Sequence, residues 1–105
     1  MPTFITLINF TDQGARAIRD TAQRANAFKS EAAKAGVNVK QVYWTMGGFD
    51  GVIIFEADSE KTAASALFDL AAKGNVHTQT LRAFDESEIK DLVGGRANRS
   101  SGKKK

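Results

Sequence analysis

His77 is the single histidine of the chain and the one side chain whose ordinary ionisation falls near neutrality. Proton transfer would require a second group beside it, and the nearest candidates by type are Asp50, a proton acceptor in a glycine-rich turn, and Arg82, a guanidinium suited to holding an anion. His77, Asp50 and Arg82 are therefore the candidate catalytic residues. On a strand, Thr78, Thr80 and Arg82 share one face, while His77, Gln79 and Leu81 share the other. Two hydroxyls and a guanidinium in an enclosed space between two sheets would suit an anionic or carbonyl-bearing ligand. Tyr43 and Trp44 are adjacent on a strand, so only one of them can face such a space. Tyr43, Trp44, Thr78, Thr80 and Arg82 form the candidate ligand-binding set, and the same residue types also describe a wet interface between two copies.

Other chemistries find no residues here. Cysteine is absent, which removes disulfides, thiolate metal sites and thiol nucleophiles. A lone histidine with no carboxylate at ligand spacing predicts no metal site, and no cofactor is expected. The Gly47-Gly48-Phe49-Asp50-Gly51 segment links two strands and opens no helix, so it lacks the amide cluster that cradles phosphate. Arg16, Arg19 and Arg24, offset by Asp20, read as a solvated helix face.

The elements that carry these residues are legible from periodicity. Thr3 to Phe10 is β-branched and aromatic and predicts a strand, closed by a Thr11-Asp12-Gln13-Gly14 turn. From Ala15 to Ala35, Ile18, Ala22, Ala25, Phe28, Ala32 and Ala35 recur at steps of three and four, a helix stopped by Gly36. Val37 to Met46 and Val52 to Ala57 flank the glycine-rich turn as a hairpin. Asp58 or Ser59 caps a second helix with an inner stripe of Ala63, Ala66, Leu67, Leu70 and Ala71 that ends at Lys73 and Gly74. Asn75 to Phe84 predicts the fourth strand, and Asp85 with Glu88 has capping-box spacing for a short helix carrying Ile89 and Leu92. The order is βαββαβ, an α+β class chain with the ferredoxin-like arrangement: a four-stranded antiparallel sheet with two helices on one face. Strand one is apolar on both alternating sets (Phe4, Ile8 and Phe10 against Ile5 and Leu7), and so is strand three (Val52 and Ile54 against Ile53 and Phe55). Two helices cover one sheet face only, so the other is expected to meet a second copy, packed sheet against sheet.

Tyr43 to Asp50, the Thr11 to Gly14 turn and Gly74 to Phe84 together resemble the GYD domain family, over about Pro2 to Leu92. The resemblance implies a ferredoxin-like fold of the dimeric α/β-barrel type, in a group whose biochemical role is essentially uncharacterised. The Gly-Tyr-Asp signature stands here as Gly48-Phe49-Asp50, so the phenol hydroxyl is replaced by a plain ring. The turn's structural role survives that change, since glycines accept positive φ and Asp bonds to nearby backbone.

The chain has 105 residues, 42% of them hydrophobic, which describes one small domain. Residues 1–93 are expected to form it, and 94–105 a disordered basic tail of glycine, serine and cations. The tail carries +5 and the body −2, which together make the net charge of +3, so the pI of about 9.4 belongs to the tail. No apolar run approaches a membrane span of about 18 to 20 residues, and a cytoplasmic protein is expected. Three readings of function follow. The first is a non-enzymatic homo-oligomeric module that binds a small molecule between its sheets. The second is a cofactor-free or haem-assisted enzyme acting on a small aromatic or carbonyl compound, as fold analogy with monooxygenases and isomerases suggests. The third is an interaction protein whose tail meets an acidic partner, with only weak, salt-sensitive contact to nucleic acid. The first leads, because no acid-base pair is evident.

Overall fold

The computed structural model describes residues 1–95; the basic tail expected at 94–105 therefore lies, past Gly95, outside the described residues. Strand β1 runs Thr3–Phe10, β2 Val37–Trp44, β3 Gly51–Ala57 and β4 Val76–Ala83, and they form one four-stranded sheet in the order β2-β3-β1-β4. All three pairings are antiparallel, with Phe4 opposite Phe55 on one side and Arg82 on the other. The architecture is α+β and compatible with the ferredoxin-like arrangement. Helices α1 (Asp12–Arg16), α2 (Thr21–Lys34), α3 (Glu60–Ala72) and α4 (Glu86–Lys90) connect and follow the strands.

Alternation explains the core. The side chains of Phe4 and Thr6 on β1, and of Ile53, Phe55 and Ala57 on β3, point to one face and are buried there beneath Phe28 and Ala32 of α2 and Ala63 and Ala66 of α3. Phe4 and Phe55 stack with ring centroids 5.4 Å apart. Phe55 is 1% exposed, and a ring buried so completely contributes about 1.5–3 kcal/mol. The other face carries Ile5 and Leu7 of β1 and Val52 and Ile54 of β3, which remain half-buried with no helix of the described residues above them.

The single helix expected from Ala15 to Ala35 is divided. Thr11 caps α1 by accepting a hydrogen bond from Gly14 N at 3.1 Å; α1 then stops at Ala17, and a 3₁₀ turn at Ile18–Asp20 precedes α2. The Ala17 carbonyl turns aside to accept from Arg24 Nη1 at 2.7 Å. The division moves Ile18 out of the inner stripe to 42% exposure and leaves Ala22 exposed. In β2 an irregularity between Val39 and Gln41 restores phase, so Val42 and Trp44 return to the helix side while Tyr43 lies opposite Val52 on the open face. Ser59, of the two candidates, caps α3, accepting from Thr62 N at 3.1 Å. The Asp85 and Glu88 capping box forms as the spacing predicts, and α4 runs on into a π-helical turn at Asp91–Gly95. No helix among the described residues is long and apolar enough to cross a membrane.

Candidate functional site

The two faces of the sheet separate the residues singled out by type. Thr78, Thr80 and Arg82 stand opposite Ile8, Thr6 and Phe4, on the face that the helices cover. They do not line a space between two sheets. Partners account for Thr80 and Arg82: Thr6 and Thr80 share a hydroxyl hydrogen bond of 2.8 Å, and Thr6 is fully buried. Arg82 lies over the Phe84 ring at 4.5 Å from its centroid, donates to the carbonyls of Thr3 and Ala83, and meets Glu88 at 3.6 Å. It fastens the chain after β4 to the start of β1.

Asp50 is likewise held by backbone. Its Oδ2 accepts from Phe10 N at 2.9 Å, its own N–H donates to Ile8 O at 2.7 Å, and its carbonyl accepts from Thr45 N at 2.9 Å. Asn9 Nδ2 reaches Gly48 O at 3.0 Å and Thr45 Oγ1 reaches Phe49 O at 2.6 Å, so the Gly48-Phe49-Asp50 turn is laced to the end of β1. Gly47 takes a φ of +107°, which only glycine adopts readily. His77 stands opposite Asn9 on the open face, exposed. His77, Asp50 and Arg82 thus occupy the open face, a turn beside the helix face and the opposite end of β4, and the fold does not bring the three together.

Two other constellations do form. In one, the open face presents Ile5, Leu7, Val52 and Ile54 as a central apolar block, with Tyr43 at 52% and Leu81 at 45% exposure flanking it on the outer strands. Its polar border includes Thr3, Asn9, Asn38, Gln41, Glu56, His77 and Gln79, and Glu56 is the one carboxylate among these ladder positions. The other lies on the helix side, where the sheet end carrying Ile8, Phe10, Trp44 and Val76 is left short of packing beneath α2. A cleft of about 180 Å³ opens there, with Trp44 and Asp50 among its lining and Tyr43 at its border. Trp44 Nε1 donates to Thr21 Oγ1 at 2.9 Å across its mouth. Sequence reasoning missed Phe10, Arg24 and Val76 as cleft residues. The available signal was Ala25, a small side chain on the inner stripe facing a sheet end of large apolar ones.

The first turn joins the β4 entry in the same region. Thr11 Oγ1 donates to Gly74 O at 2.6 Å, Thr11 N to Asn75 O at 3.1 Å, and Gln13 Nε2 to Lys73 O and Asn75 Oδ1 at 3.0 and 2.9 Å. A side chain on Gly14 would place its Cβ 2.0 Å from Asn75 O, which is why glycine stands inside α1. The segments Thr11 to Gly14 and Gly74-Asn75, some sixty residues apart in sequence, are one docked unit. The family profile described as GYD domain matches residues 4–93, which span all of these contacts. The chain belongs to the GYD domain family. Its GYD domain is similar to a protein of Thermus thermophilus named glutamine synthetase and cystathionine beta-lyase binding protein: 36% identical over 90 residues, 85% of this chain and 95% of that protein. Phe49 is the departure of this GYD domain from the signature Tyr, and it is half-buried in the turn.

Proposed function

We propose that this GYD domain is a non-enzymatic interaction module that pairs with a second copy through its open sheet face and, so paired, docks on a metabolic enzyme. The observation that carries the reading is the uncovered block of Ile5, Leu7, Val52 and Ile54. Its removal from water is worth about 25 cal/mol per Å², and no element among the described residues stands over it. A second copy is the occupant its chemistry favours. A central apolar block with a mostly uncharged border meets itself without opposing like charges, and strands pack face to face by an isologous contact. Such a pair would be the dimeric α/β barrel that the family resemblance implies.

The enzyme partner comes from the relative, whose name states binding to glutamine synthetase and cystathionine beta-lyase. The residues agree with a binding role over a catalytic one: Asp50 and Arg82 are spent on backbone and ring contacts, and among the described residues no hydrogen bond or ion pair joins His77 to either. The experiment is co-sedimentation of the purified chain with glutamine synthetase and, separately, with cystathionine beta-lyase of the same cell. A faster enzyme boundary carrying the small chain is the expected result. Two unshifted enzyme boundaries would contradict the docking reading.

A further inference from the structure

The cleft on the helix side has a shape and a charge pattern of its own. Its floor is the sheet end bearing Ile8, Phe10, Val42 and Val76, and its roof is Ala25 and Phe28 of α2. These floor residues are only half-buried, whereas the corresponding residues at the other end of the same face, Phe4 and Phe55, are closed over. The difference lies in α2. Its turn above the floor presents Ala25, which leaves the space that a leucine would fill. The volume of about 180 Å³ compares with an apolar cavity of about 150 Å³ that takes up benzene.

Three charged residues are among its lining. Arg24 and Lys73 bring two cations, and Asp50 brings a carboxylate that already accepts from Phe10 N. Arg24 uses two of its five N–H groups on the Ala17 and Gly14 carbonyls, at 2.7 and 3.4 Å, which holds the guanidinium with donors to spare. Lys73 is tied to Glu31. An apolar cleft of this volume whose lining includes a held guanidinium, and whose one lining carboxylate is engaged by Phe10 N, has the complement of a monocyclic aromatic carboxylate. Arene contacts with Phe10 and Phe28 would hold the ring, and Arg24 the anion.

We infer that this cleft between the sheet and α2 is a binding site for a small monocyclic aromatic carboxylate. It lies on the face opposite the apolar block of the proposed interface, so the two readings stand or fall separately. Trp44, the chain's single tryptophan, lines the cleft and supplies the readout. Phenylacetate titrated into the full chain is expected to give a saturable change in Trp44 fluorescence, and benzyl alcohol, which lacks the anion, to bind at least about tenfold more weakly. Arg24→Met is expected to erase that preference, and Ala25→Leu to abolish the response while the far-ultraviolet circular dichroism stays that of the unaltered chain. No saturable change with phenylacetate, equal affinity for benzyl alcohol, or a response that persists in a folded Ala25→Leu chain would overturn the assignment.

Discussion

At the scale of single residues, the fold turns groups that look chemical into structural ones. Thr6 and Thr80 are the clearest case, because each hydroxyl satisfies the other on the helix-covered face. Thr80→Val strands the buried Thr6 hydroxyl and is expected to cost about 1–3 kcal/mol, while the double change Thr6→Val with Thr80→Val should recover most of that loss, as urea unfolding of the set will read. Asp50 is expected to behave as a turn residue: Asp50→Ala removes the acceptor of Phe10 N and should cost about 1–2 kcal/mol, whereas Asp50→Asn keeps an acceptor and should leave the thermal midpoint nearly unchanged. Sequence alternation placed Thr78, Thr80 and Arg82 together correctly but could not say on which face. A strand's period of two gives the partition of residues and not its polarity, and here both partitions of β1 and β3 are apolar. For the same reason adjacency separated Tyr43 from Trp44 without saying that Trp44 is the one turned to the helices, a choice made by the irregularity after Val39.

Among the elements, strands and caps were legible where one local rule decides them. The capping box at Asp85, the helix stop at Gly36 with its φ of +89°, and the hairpin around Gly47 each follow from residue types a few positions apart. The break between α1 and α2 was not legible, because one of the contacts beside it, the docking of Gly14, is with a residue far along the chain. Gly14 docks against Asn75, some sixty residues away and outside any helical window, and the Ala17 carbonyl accepts from Arg24 and from Asp20 N at the break. Gly14→Ala is the direct check on that docking. The glycine needs no positive φ, so the penalty is steric alone, against backbone that cannot rotate away. The substitution is expected to destabilise the fold by about 3 kcal/mol, measured by denaturant unfolding, well beyond the roughly 0.5–1 kcal/mol that an alanine would otherwise return to a helix.

Across the whole molecule, the sheet is a wall with two different sides. One is closed at the Phe4 end and open as a cleft at the Trp44 end; the other is an apolar block that α2 and α3 do not cover. Composition pointed at this second side, since the hydrophobic residues of β1 and β3 exceed what one helical layer can cover. The net charge of +3 did not, because its excess belongs to residues past Leu92. Pairing through the open face is the central claim, and sedimentation velocity over a range of concentrations tests it most directly. The unaltered chain should sediment as a dimer, and Ile54→Lys, which sets a charge in the middle of the block, should sediment as a folded monomer. A chain that stays monomeric throughout the micromolar range, or an Ile54→Lys dimer as tight as the original, would contradict it.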